Sequence, residues 1–146
     1  PLLYFVQMVL QRIQPMLRMF GSRKNEQKPR LFRVTLHIRR GVNQEMPSNM
    51  AGAYVPVFVA GENHEAGATS AVSEISHRGF EFVDIPDGRI YELDPHLWDE
   101  FVKEAWPEFT MYFPSQSEVC DGLSKGFIFV GPFAGYDASE SKSSRD

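Results

Sequence analysis

From Phe32 to Arg39 the chain alternates apolar and polar residues without a break. Phe32, Val34, Leu36 and Ile38 fall on one side of an extended backbone, and Arg33, Thr35, His37 and Arg39 on the other. A period of two cannot be wound into a helix with one apolar face. The segment is therefore a strand with one side in a core, and a sheet must organise the fold. AYVPVFVA, residues 53–60, supplies a second strand. Pro56 within it has no N–H for a ladder, which predicts an edge strand or a bulge there.

Helical periodicity follows. Asn63 is placed to cap a helix over 64–78, with Ala68, Ala71, Val72 and Ile75 as its stripe and Gly79 as its stop. FEFVDI (80–85), Pro86-Asp87-Gly88 and RIYEL (89–93) read as a hairpin by turn chemistry. Asp94 with Pro95 opens another helix, whose stripe is Leu97, Trp98, Phe101, Val102, Ala105 and Trp106. Phe109 to Phe113 reads as a short strand, Ser115 to Ser124 as a helical turn, and GFIFVG (126–131) as a buried strand. The expected fold is one small α+β domain over 31–136. Its sheet is mostly antiparallel, in ββαββαβ order, with helices on one face. A length of 146 residues with 42% apolar and 23% charged residues fits one such domain and excludes a wholly disordered chain.

Residues 1–20 show a different pattern. Wound at 100° per residue, Leu2, Leu3, Phe5, Val6, Val9, Leu10, Ile13, Met16, Leu17 and Phe20 share one arc, opposite Gln7, Gln11, Arg12, Gln14 and Arg18. That predicts an amphipathic helix ahead of the domain. A transmembrane span is a poor reading, since Arg12 at mid-bilayer costs about 3 kcal/mol. A signal peptide is equally poor, because the apolar stretch precedes the basic residues. The helix is expected to dock through Leu2, Phe5, Val6, Val9, Leu10, Ile13, Leu17 and Phe20, giving a homo-oligomer, a partner contact or a membrane-surface anchor. Met8, Met16 and Met19 are candidate translation starts. Residues 21–30 read as a polar basic linker and 137–146 as a disordered tail.

Charge is divided along the chain. Residues 1–40 hold nine basic groups and one acid, Glu26, while residues 41–146 hold six basic groups and eighteen acids. Residues 80–109 carry nine carboxylates against Arg89 and Lys103. The acidic part repels a phosphate backbone, and the basic run has only Phe32 among it as a stacking group, which argues against nucleic acid. Glu92, Asp99, Glu100, Glu104 and Glu108 are the residues expected to meet a partner, one carrying basic charge.

No motif fixes a reaction. His37, His64, His77, His96 and Cys120 have no close ligand spacing, so no metal or other cofactor is expected. Cys120 lies between Glu118 and Asp121, which disfavour a thiolate, and there is no G-x-S-x-G elbow. One cysteine excludes an internal disulfide and fits a reducing, cytoplasmic setting. Arg33, His37 and Arg39 on one strand face offer room for an anion, or pair with acids of a neighbouring strand. Trp106 to Phe113 is less periodic and suits an exposed apolar patch. The expected function is therefore a non-enzymatic protein-interaction module, in one form an inhibitor or immunity-type protein with an acidic surface. The alternatives are a small acid/base enzyme using carboxylates of 80–109 and a His, and a membrane-surface protein held by its first helix.

Overall fold

The computed structural model describes residues 28–137 and, as backbone, the strands β1 (Leu3–Phe5) and β2 (Arg12–Ile13). The chain then runs β3 (Arg30–Arg39), β4 (Met50–Gly61), α1 (His64–His77), β5 (Glu81–Asp84), β6 (Ile90–Leu93), α2 (Trp98–Ala105), α3 (Gln116–Gly122), β7 (Phe127–Val130) and β8 (Phe133–Asp137). This is the expected α+β fold, and every pairing in its sheet is antiparallel.

β3 and β4 form the central hairpin, with Phe32 opposite Val59 and Ile38 opposite Ala53. Along the other side of β3 lie β5 and β6, end to end, with Asp84 opposite His37 and Ile90 opposite Val34. The segment 80–93 is thus one interrupted strand and not the expected hairpin. A hairpin needs its two arms to pair with each other; here the ten-residue β3 gives both arms an edge to pair with instead. Pro86–Gly88 form a 3-10 turn, with Asp87 and Gly88 at φ 70° and 62°, that carries the chain out and back into the same track.

β7 and β8 repeat the arrangement along β4, with Ile128 opposite Val59 and Ala134 opposite Tyr54. Of the two expectations for Pro56 the edge is corrected, since it lies in a strand paired on both sides; the irregularity is present, the register stepping by one residue between Val57 opposite Val130 and Tyr54 opposite Ala134. A strand residue points its N–H and C=O the same way. The Pro56 carbonyl accepts from Gly131 N at 2.8 Å, so the missing donor falls at the break between β7 and β8.

The helices divide between the two faces, contrary to the expectation of one. Phe32, Val34, Leu36 and Ile38 of β3 and Val55, Val57 and Val59 of β4 are fully buried in one cluster with Ala71 and Ile75 of α1. Asn63 caps α1 as expected, accepting from Ala66 N at 2.8 Å. The opposite parity, Leu31 and Phe58 with Phe127 and Phe129, packs with Trp98 and Val102 of α2 and Val119 of α3. Both faces of a central sheet are apolar here, and each needs a cover. Residues 109–113 are not a strand. Thr110–Tyr112 make a 3-10 turn, and the Trp106 and Phe113 rings on either side of it meet in a tilted contact at 5.3 Å.

The helix expected over 1–20 lies outside the described residues except at β1 and β2, where the backbone is extended. There the open edges of β8 and β7 take it as partner: Tyr4 is opposite Ala134 and Arg12 opposite Ile128. Unpaired edge donors and acceptors favour such an addition over a free helix. The expected tail likewise lies outside the described residues beyond Asp137.

Candidate functional site

The alternation of β3 puts Arg33, Thr35, His37 and Arg39 on the side of the sheet that carries α2 and α3. Those helices cover the end of this face at Leu31 and Phe58. Among the described residues no helix covers the other end, where Thr35, His37, Arg39, Tyr54 and Tyr136 lie.

His37 is the hub of the open half. Its Nε2 is 2.6 Å from the Tyr136 hydroxyl, its ring stacks on Tyr54 at 4.6 Å and 20°, and its Nδ1 is 3.8 Å from Asp84 Oδ1. The last distance is too long for a hydrogen bond and is an ion pair only when the ring is protonated. A carboxylate beside Nδ1 favours the tautomer with its proton there, leaving Nε2 to accept from Tyr136. Burial holds the His37 pKa below 6.5; Asp84 opposes the shift and Arg39 adds to it. Burial raises the Tyr136 phenol, the Tyr54 ring assists, and Arg39 opposes. Both groups are therefore neutral near neutral pH, and the pair offers directed hydrogen bonds without a charge.

That shift has a consequence for stability. A histidine depressed in the fold binds protons more readily when unfolded. Its contribution is complete above the unfolded value and is lost as pH falls from about 6.5 through the folded pKa. Thermal unfolding of the wild type and His37→Gln at about pH 5 and about pH 7.5 tests this. The wild type is expected to lose more on acidification, and equal losses would contradict it.

Arg39 reaches Glu81 at 4.0 Å and Arg30 reaches Glu92 at 3.2 Å, so cross-strand acids answer two of the strand's arginines. Asp84 is the acid of 80–109 that the fold brings to a histidine ring among the described residues. It was legible only as one of many carboxylates. Tyr54 and Tyr136 were missed as site residues. Alternation along 53–60 sets Tyr54 opposite Val55 and Val57, a signal outweighed by the apolar character of the whole segment. Nothing in the sequence marked Tyr136, because Gly131-Pro132 hides the continuation of the strand.

The five expected partner-binding acids do not form one patch. Glu92 sits opposite Phe32, so it lies on the α1 side of the sheet. Asp99 is engaged inside the molecule: its Oδ1 accepts from Gln116 N at 3.0 Å, while Gln116 Oε1 accepts from Asp99 N at 3.0 Å, clamping α2 to α3. Glu100, Glu104 and Glu108 are exposed. None of these three lines the nearby groove of about 540 Å³, whose walls are Val102, Pro107, Met111, Phe113 and Pro114, with Asp99, Lys103 and Glu118 at its polar margin. Met111 is 79% exposed. The Cys120 thiol registers the local field: burial pushes its pKa up, and the carboxylates of Asp121, Asp94 and Asp99 push it further.

Among the described residues no group of three or more His, Cys, Asp or Glu is placed to hold a metal ion, and no helix is long and apolar enough to cross a membrane. No family model matches the chain, and no curated protein or solved structure matches it.

Proposed function

We propose that this chain is a non-catalytic protein-interaction module that takes a basic partner segment, anchored by one large apolar side chain, in the groove beside α2. The observation that carries this reading is the groove itself, with an apolar floor, an exposed methionine and the carboxylates of Asp99 and Glu118 at its margin. A thioether adapts its shape to an incoming side chain better than a branched residue does. Glu100, Glu104 and Glu108 outnumber Lys103 nearby, so the field draws basic charge and speeds encounter. An inhibitor whose acidic face covers a basic site is one form of such a module.

Selection from a random peptide display library against the intact protein tests it. Enriched peptides are expected to carry Lys or Arg flanking one large apolar residue. Met111→Asp, and separately Glu100→Lys with Glu104→Lys, are each expected to weaken these peptides about tenfold. Asp99 is left intact because it holds α3. Peptides enriched without regard to charge, or binding unchanged in both variants, would overturn the reading.

The acid/base alternative draws support from one contact, Asp84 beside His37. A general base needs a free lone pair, and His37 Nε2 is occupied by Tyr136. A phenol raised above its usual range is also a poor acid near neutral pH. The pair suits recognition better than proton transfer.

A further inference from the structure

We propose that the hollow beside Arg33 on the open sheet face binds a small aromatic carboxylate, with Arg33 gripping the carboxylate group. The site is distinct from the groove at α2. It is an open hollow of about 240 Å³ lined by Arg33, Thr35, Tyr54, Pro56, Trp106 and Pro132, with Ala134 at its side. An apolar cavity of about 150 Å³ accepts a benzene ring, so this one has room for a ring and a carboxylate.

Arg33 differs from the other described arginines. Arg30, Arg39 and Arg78 each face an acid, Arg40 donates to the carbonyls of Asn43 and Met46, and Arg89 bonds Tyr91. Among the described residues no acid pairs with Arg33, and this is what sets it apart; its Nε, like that of Arg30, is buried without a hydrogen-bond partner. What Arg33 offers to the hollow it lines is an unneutralised charge with its terminal N–H groups. The guanidinium is nonetheless fixed in place, 4.7 Å from the Tyr91 ring centre and 5.9 Å from that of Phe101. Held against ring faces by cation–π contact, this guanidinium has no acid to occupy its terminal N–H groups, which can meet a carboxylate in two parallel bonds. The ordering entropy of the side chain is already spent before the ligand arrives.

Tyr54, Pro56, Trp106 and Pro132 then give the flat apolar wall that a ring requires, and the Thr35 hydroxyl adds a polar contact. Phosphate would satisfy the charge but would waste that wall. A neutral aromatic would fill the wall and leave Arg33 unanswered.

The test follows nitrogen–proton resonances of the folded protein during titration with benzoate, benzamide and inorganic phosphate. Benzoate is expected to shift the Arg33 Nε–H and the amides of Thr35, Tyr54 and Ala134 saturably. Benzamide is expected to bind about tenfold more weakly or worse, as loss of a charged hydrogen-bond pair implies. Phosphate is expected to be weaker than benzoate at the same resonances. Arg33→Gln should lose benzoate about tenfold while the rest of the spectrum is kept. Arg33→Lys keeps the charge but not the fork, and should also weaken benzoate; it carries the test should Arg33→Gln unfold. Absence of saturation, benzamide or phosphate equal to benzoate, or unchanged affinity in the folded Arg33 variants would each overturn the proposal.

Discussion

Phe58→Ala is expected to remove about 3–5 kcal/mol of folding stability, the range for aromatic truncation in a core. Phe58 is fully buried and stands where the sheet meets the α2–α3 layer. Trp98 meets it edge-on at 5.1 Å, Phe101 and Trp106 approach at 6.0 Å, and Phe129 and Phe113 at 6.2 and 6.3 Å. Each aromatic pair adds about 0.5–1.5 kcal/mol to simple burial. Collapse does not soften the loss, because β4 is paired to β3 on one side and to β7 and β8 on the other and cannot move inward. Trp98 is also tethered, its Nε1 donating to the Pro114 carbonyl at 2.8 Å. The cavity therefore stays open. Urea unfolding gives the magnitude, and near-ultraviolet circular dichroism reports the tryptophan environment. A loss below about 1 kcal/mol would mean that the layer is held by something other than this cluster.

Alternation over 32–39 is enough to place β3 and both of its faces, since an inverted register would bury Arg33 and Arg39 and expose Phe32 and Ile38. Asn63 and Asp94 act as caps for a local reason, a short side-chain oxygen reaching an amide two or three residues on. Pairing is not local. Pro86-Asp87-Gly88 has the chemistry of a hairpin turn, yet a free edge on β3, set by residues some fifty positions earlier, decides that the chain continues in the same track. Pro56 signals the irregularity but not the edge, because its missing donor matters only if a neighbour needs it, and the neighbour breaks at Gly131-Pro132. The candidate site divides along the same line. That Arg33, His37 and Arg39 share a face is readable from spacing. That Tyr136 arrives beside His37 across 99 positions of sequence is set by the sheet alone. Acid clustering in 80–109 says nothing about which carboxylates are engaged, and Asp99 proves to be a clamp while Glu100 and Glu104 stay free for solvent or partner.

The larger effect on the open sheet face is expected from a glycine. Gly52 lies opposite Arg39 in the β3–β4 ladder, and its φ is an ordinary negative one, so alanine meets no backbone strain there. Space is the obstacle. A Cβ at this position falls 2.5 Å from the Tyr136 hydroxyl oxygen and 2.7 Å from the Ile38 carbonyl oxygen. The tyrosine ring can swing aside; the Ile38 carbonyl belongs to the backbone of β3 and can move only with the hairpin. Gly52→Ala is therefore expected to lower stability by about 1–3 kcal/mol, as overpacking does, and to break the hydrogen bond between Tyr136 and His37. Burial is the main reason the Tyr136 phenol titrates high, so displacement into water should bring it back toward its usual value. Ring-carbon resonances of Tyr136 followed against pH read this directly. A double-mutant cycle separates the two obstacles: in a Tyr136→Leu background only the Ile38 carbonyl remains, so Gly52→Ala should cost less there by about 0.5 kcal/mol or more. Additive costs, or a Tyr136 titration unmoved by Gly52→Ala, would show that Gly52 does not serve to seat the tyrosine against His37.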